Sequence, residues 1–188
     1  MCGNLEELVV DGDGNVDGSS DLITLNYLRK LHTYCSNNAF LLSLKAPIQD
    51  FATSGYFSDL SGFYGYIEKN GSTLLNISIA PYHSRLVKCV PYLRSLVELY
   101  VEDHGDDESI RMYEFLSSLV VRPETDPSTI PLPRLEVLEI ICQVIIDIQR
   151  LFTKVIDSRS WSDEEENARQ KQGQRSLSRI KRSVFTLN

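Results

Sequence analysis

The chain has no apolar run approaching the ~18 residues that a membrane-crossing helix needs, and its first ten residues, MCGNLEELVV, contain no base. Neither a transmembrane span nor a secretory signal peptide is expected. Cysteine is scarce: Cys2, Cys35, Cys89 and Cys142 stand far apart, with no CxxC pair. That spacing argues against a disulfide framework and against structural zinc, and it suits an intracellular protein of the cytoplasm or nucleus. GxSxG, HExxH, GxxxxGKS and GxGxxG are all missing, so the turns that present a nucleophile, a zinc ion or a phosphate are not announced. We therefore expect no enzymatic activity, no cofactor and no metal.

Each end of the chain lacks charge of one sign. No base precedes Arg29, although Glu6, Glu7, Asp11, Asp13, Asp17 and Asp21 all do. No acid follows Glu166, although Arg169, Lys171, Arg175, Arg179, Lys181 and Arg182 do. The whole chain carries 19 basic and 26 acidic residues, a net −7. Without the six C-terminal bases, 13 bases face 26 acids, so residues 1–166 carry −13. Such a body is a poor match to a dedicated nucleic-acid binder. The basic end either complements its own acidic body or takes an anionic partner.

What the chain does have is repetition. A short phrase recurs in which apolar residues three apart lead into an alternating apolar pair: LEELVV at 5–10, LNYLRKLHT at 25–33, IQDFAT at 48–53, LLNISI at 74–79, YLRSLVELYV at 92–101, LPRLEVLEII at 132–141 and, most degenerate, LSRIKRSVF at 177–185. Taking Leu8, Leu31, Phe51, Ile77, Leu99, Leu138 and Val184 as equivalent, the first four spacings are 23, 20, 26 and 22 residues. These lie within or near the 20–29 residues of a leucine-rich repeat. The last two, 39 and 46, require insertions.

Between the phrases the pattern is helical. Residues 39–46 read as helix up to Pro47, and 57–70 place Leu60, Phe63, Tyr64 and Ile67 at helical spacing before Gly71. Residues 83–90 form a short helical stretch before Pro91. Residues 106–121 carry acids at the positive end of a helix and Met112, Phe115, Leu116 and Leu119 on one face. Four prolines between Pro123 and Pro133 impose an extended connection. Residues 144–156 form a second long helix with Ile145, Ile148, Leu151, Phe152, Val155 and Ile156 inward, and 162–172 are polar and at best helical.

One strand and one helix cannot bury their own apolar faces, so such units stack and share a core. The expected fold is α/β: a leucine-rich-repeat solenoid, a curved parallel sheet with outer helices, irregular repeats and an uncapped N-terminus. It forms a single domain over 1–188, with 1–142 as core repeats and 143–188 as long helix, polar segment and last degenerate repeat. A doubly wound sheet is the rival. The lead-in before every strand and the lack of a glycine-rich strand-to-helix turn favour the solenoid.

Strand alternation then defines a candidate site. If Leu31, Phe51, Ile77, Leu99 and Leu138 point into the core, their neighbours face the concave side: Lys30, His32 and Tyr34, then Asp50, then Asn76 and Ser78, then Glu98, Tyr100 and Glu102, then Val137 and Glu139. A ladder that mixes tyrosine with acids suits protein recognition, with a basic or mixed-charge partner. Other constellations carry less. DGDGNVDGSSDL at 11–22 has alternating carboxylates, but started at Asp13 it puts Thr24 where a calcium loop needs a bidentate acid. It reads as a solvated turn. His32 and Cys35 are three apart, but His32 lies in a strand phrase, and His83 and His104 stand alone.

The phrases VPYLRSLVELYVED, PLPRLEVLEII, LLSLKAPIQDF and NGSTLLNISI, with Ser158–Arg159 ending a helix and RIKRSVF near the end, resemble the leucine-rich repeat region of F-box-like proteins, most closely the divergent sets of mushroom-forming fungi. The likeness spans about residues 4–185. It implies the substrate-recognition arm of a ubiquitin-ligase receptor, gripping an unidentified target protein on its concave face. The sequence departs from that family in opening directly on a repeat phrase. The expected consequence is either a fragment of a longer chain, joined to the ligase scaffold only if an F-box lies upstream, or a free-standing binding module; the alternative is a truncated or degenerate repeat fragment with no independent activity.

Overall fold

A computed structural model describes residues 4–12, 22–34, 39–54, 61–80, 85–103, 109–122, 125–126, 129–142, 146–161, 164–165 and 178–187. Along the chain come β1 (Glu7–Val10), β2 (Ile23–Thr24), β3 (Lys30–Thr33), β4 (Leu44–Lys45), β5 (Asp50–Ser54), α1 (Ser61–Asn70), β6 (Asn76–Ala80), α2 (Leu86–Cys89), β7 (Glu98–Glu102), α3 (Ser109–Leu119), β8 (Val137–Cys142), α4 (Ile146–Ser158) and β9 (Arg182–Leu187). The fold is α/β. Seven strands make one sheet in the order β1-β3-β5-β6-β7-β8-β9, and every pairing is parallel. The order never reverses, so this sheet has no point at which neighbouring strands lead off in opposite directions.

The lead-in phrase has a physical task. Leu28, Leu74, Leu96 and Leu135 each donate an N–H to the carbonyl three residues earlier, at 3.1–3.3 Å. The apolar pair thus closes a turn, and Leu93, Leu96, Leu132 and Leu135 are buried within it. After each turn the backbone repeats one arrangement. The carbonyls of Glu6, Arg29, Gln49, Leu75, Val97 and Glu136 each accept from two successive N–H groups of the next unit, at 2.7–3.2 Å. Six consecutive junctions therefore share one register, which aligns Leu8, Leu31, Phe51, Ile77, Leu99 and Leu138 across the sheet.

The seventh equivalence is corrected. Leu138 pairs with Ser183, and Val184 pairs with Glu139. Phe185 therefore turns toward the helices, where its ring lies 5.1 Å from that of Phe152, and Val184 turns to the opposite face. Ile180, buried at the lead-in position, sits three residues before Ser183, as Leu135 sits three before Leu138. The buried lead-in fixes the register, and the degenerate strand follows it.

Helices cover one face of the sheet. Phe51, Ile77, Ile79, Leu99, Val101, Leu138, Ile140 and Cys142 share a single buried cluster with Phe63, Tyr66 and Ile67 of α1, Leu86 of α2, Met112, Phe115, Leu116 and Leu119 of α3, and Ile148, Leu151, Phe152 and Val155 of α4. On α3 Met112, Phe115, Leu116 and Leu119 are buried as expected, and on α4 Ile148, Leu151, Phe152 and Val155 are, while Ile156 is half-buried. On α1 it is Tyr66, its hydroxyl donating to the Ala46 carbonyl at 2.9 Å, that is fully buried, whereas Tyr64 is half-buried.

Two helical expectations are revised. Residues 39–46 are not one helix: a 3-10 turn at Ala39–Leu42 leads into β4, which pairs with β2 in a separate two-stranded parallel sheet. Ile23 donates to the Ser43 carbonyl and Leu25 to that of Lys45, at 2.9 and 3.0 Å. The stretch before Pro91 is a four-residue α-turn that tightens into a 3-10 turn at Val90–Tyr92. Proline is tolerated there because N–H groups in a first turn have no helical acceptor anyway. Residues 13–21 of the calcium-like loop, Cys2, Cys35, Leu60, His83, His104, the acids at 106–108, Ile145 and most of 162–172 lie outside the described residues.

Candidate functional site: the open face of the sheet

Because the sheet pleat alternates, the face away from the helices carries every residue of opposite parity to the core. Its first row runs Glu7, Lys30, Asp50, Asn76, Glu98, Val137 and Arg182, and its second Val9, His32, Ala52, Ser78, Tyr100, Glu139 and Val184. These side chains are half-buried or exposed; none is buried. An open trough of about 360 Å³ runs across the middle strands, floored by Ala52, Ser78 and Val137 and walled by His32, Asp50, Asn76, Glu98, Tyr100, Glu139 and Arg182. A second hollow of about 210 Å³ adjoins it at His32 and Ser78 and takes in Tyr34, Ser54, Ala80 and Glu102. Of the eleven residues expected on this face, ten line these two hollows. Lys30, exposed on the first row, does not.

Tyr100 organises the electrostatics. Its hydroxyl donates to Glu102 Oε2 at 2.8 Å. Burial, then the hydrogen bond and charge of Glu102, then the charge of Glu139 push its phenol up to about 12. It is therefore a fixed, neutral donor with an aromatic flank. Asn76 Nδ2 donates to Asp50 Oδ1, tying the first row of β5 to β6. Arg182 reaches Glu139 at 3.3 Å. This residue belonged to the basic end in the sequence; the one-residue shift in β9 brings it onto the open face. Counting lead-in to strand at the constant three-residue interval would have found it. Asp50, Glu98, Glu102 and Glu139 leave the face net acidic against Lys30 and Arg182.

Burial, followed by the charge of Glu68, pushes the Cys89 thiol up to about 12; burial, followed by the charge of Asp103, pushes Cys142 up to about 11. Neither is a thiolate at neutral pH, and thiolate is the reactive form. Among the described residues, no three His, Cys, Asp or Glu side chains converge to hold a metal ion, and no helix is long and apolar enough to cross a membrane. At the basic end, Lys181 pairs with Glu136 at 2.9 Å and Arg179 donates to the Trp161 carbonyl at 3.1 Å.

Compared with protein-family models, with curated proteins and with solved structures, the chain matches none of them.

Proposed function

We propose that this chain is a leucine-rich-repeat solenoid whose open sheet face binds another protein without catalysing a reaction, as the substrate-recognition region of an F-box ubiquitin-ligase receptor would inside the cell. The solenoid reading is supported by the unbroken sequential strand order, one register at six successive junctions, a turn of the same kind before four of the strands and, among the described residues, helices on one face only. A doubly wound sheet reverses its strand order and covers both faces. The observation that carries the binding reading is the trough itself. Polar and aromatic side chains from six strands converge on one open surface, with Tyr100 among the middle strands. Aromatic anchors at the middle of a patch supply much of the binding energy in protein interfaces.

The alternative of an anion site at the basic end has less support, because Lys181 and Arg182 are already set against Glu136 and Glu139. The test is affinity purification from the native source with wild type and with the Glu98→Ala/Tyr100→Ala double variant. We expect a defined partner that the variant loses while its thermal melt is unchanged. A partner retained equally by the variant would remove this face from the interaction. Recovery of ligase scaffold subunits with the wild type would support the receptor-arm reading, and a partner without them a free-standing module.

A further inference from the structure

We propose that this protein self-associates head to tail, with the outer edge of β9 in one copy pairing in parallel with the outer edge of β1 in the next. Among the described elements, β1 is hydrogen-bonded only to β3 and β9 only to β8, so the sheet ends on two open edges. Each edge presents unpaired backbone donors and acceptors, a ready template for another strand. Lys30 N–H donates back to the Glu6 carbonyl, across the register Glu7↔Lys30 and Val9↔His32. By the same repeat, the N–H groups of Glu7 and Val9 point off the outer edge of β1. On β9, the carbonyls equivalent to Arg29 and Leu31, those of Lys181 and Ser183, point off the opposite edge.

Continuing the shared register one step beyond β9 sets Arg182 beside Glu7 of the second copy and Val184 beside its Val9. On the other face it sets Phe185 beside the second copy's Val10. Each pairing is complementary. Val9 is 54% exposed on an edge strand, which a single neighbour does not cover. At the lead-in position Lys181 comes next to Glu6 of the second copy, repeating the Lys181–Glu136 pair within the chain. Lys181 and Arg182 keep 62% and 66% of their side chains exposed in their existing pairs, so each has donors left for a second carboxylate. The same charges disfavour the wrong arrangement: two β1 edges would gather Glu6 and Glu7 of both copies at one seam, and two β9 edges would gather Lys181 and Arg182. Opposite ends pair, like ends repel, and the contact is heterologous, giving open chains rather than a closed dimer.

Sedimentation velocity of the full chain over a concentration series tests this. The wild type is expected to grow past the dimer at low ionic strength, with association weakened about tenfold or more at about 0.5 M salt. Val9→Pro removes an outward N–H, and proline on the open side of an edge strand leaves the β1–β3 ladder intact; it should be monomeric with a normal melt. Arg182→Glu should also be monomeric, and Glu7→Arg/Arg182→Glu in one chain should recover assembly. A wild type that stays monomeric at every concentration, a salt-insensitive dimer, or Val9→Pro assembling like wild type would each overturn the proposal. Failure of the exchanged pair to recover assembly would overturn the Arg182–Glu7 contact on which the register rests.

Discussion

Arg159 Nη1 donates to the carbonyl of Leu132 at 3.0 Å, and both residues are completely buried. Leu132 holds a φ of +44°, a left-handed backbone that costs a leucine on the order of 1–2 kcal/mol. The same guanidinium donates Nε to the Leu119 carbonyl at 3.2 Å and Nη2 to the Pro131 carbonyl. One cation with no carboxylate partner thus gathers the last carbonyl of α3 and the strained turn leading into β8. It sits just beyond α4, where Ser158 Oγ accepts from the Val121 N–H at 3.1 Å. Burial alone lowers the Arg159 pKa, to about 10.

Arg159→Leu removes the guanidinium donors from the carbonyls of Leu119, Pro131 and Leu132, of which Leu132 keeps the Leu135 N–H, and a buried acceptor left unmade costs about 1–3 kcal/mol. With two carbonyls left without that donor, we expect a loss of at least about 2 kcal/mol in urea denaturation. Arg159→Lys should fare little better, because an ammonium lacks the planar fork that serves three acceptors. A change below about 1 kcal/mol for both variants would show that the guanidinium is not the tie between α3, α4 and β8.

Gly71 occupies the lead-in position that leucine fills in other units, and its φ is unremarkable. A Cβ there would lie 2.8 Å from the Tyr92 carbonyl oxygen and 3.1 Å from its carbon. Backbone of the next unit is the obstacle, so it cannot step aside. Gly71→Ala should destabilise by about 1–3 kcal/mol. Gly65→Ala, inside α1, instead meets the end of the Leu42 side chain, which is 44% exposed and free to turn away. There the helix preference of alanine, about 1 kcal/mol over glycine, should offset the contact. Parallel thermal melts that fail to separate the two variants would contradict this account of unit stacking.

Thr33 and Thr53 occupy the same position on β3 and β5, both buried, with their hydroxyls 3.1 Å apart. Either single change to valine strands the other hydroxyl and should cost about 1–2 kcal/mol. The double Thr33→Val/Thr53→Val should cost clearly less than the two together, since removing both partners of a buried hydrogen bond is close to neutral. Additive losses in the double-mutant cycle would mean that the hydroxyls are not coupled.

Alkaline pH should weaken the fold through two tyrosines. Burial pushes Tyr66 up to about 12, against a smaller opposing effect of the Ile48 backbone, and burial with Glu102 and Glu139 pushes Tyr100 to about 12. Unfolded phenols ionise near ~10, so between about 10 and 12 the folded chain binds more protons than the unfolded one. Their stabilisation is complete below about pH 10 and is lost as pH rises toward 12. Phenolate absorbance should show Tyr66 and Tyr100 among the late-titrating tyrosines, and Tyr66→Phe should flatten the alkaline fall in stability. A Tyr66→Phe profile parallel to wild type would count against a buried neutral phenol.

The register of six strands was legible because each apolar lead-in pair and its strand copy keep one interval, from Leu5 and Leu8 to Leu135 and Leu138. The faces of α3 and α4 were legible because Met112, Phe115, Leu116 and Leu119, and Ile148, Leu151, Phe152 and Val155, keep helical periodicity. β9 misled because it is an edge strand. Phe185 seats against α4 while Ser183, on the same face, is exposed, so its apolar pattern no longer reports which face is buried. The two-residue strands β2 and β4 left no trace, since pairing across 20 residues of chain, and no local preference, makes them extended.

The sequence by itself therefore determined the repeated units, the inward side chains, the open-face candidates and the opposite charge of the two ends, because each is written in local spacing and composition. Tertiary structure alone decided that a solitary arginine would hold α3 and the turn before β8 together. It likewise made Gly71 the point where one unit's backbone meets the next, and turned Arg182 to the open face beside Glu139. Those outcomes depend on which buried surfaces meet across tens of residues, and close packing rather than local pattern settles them.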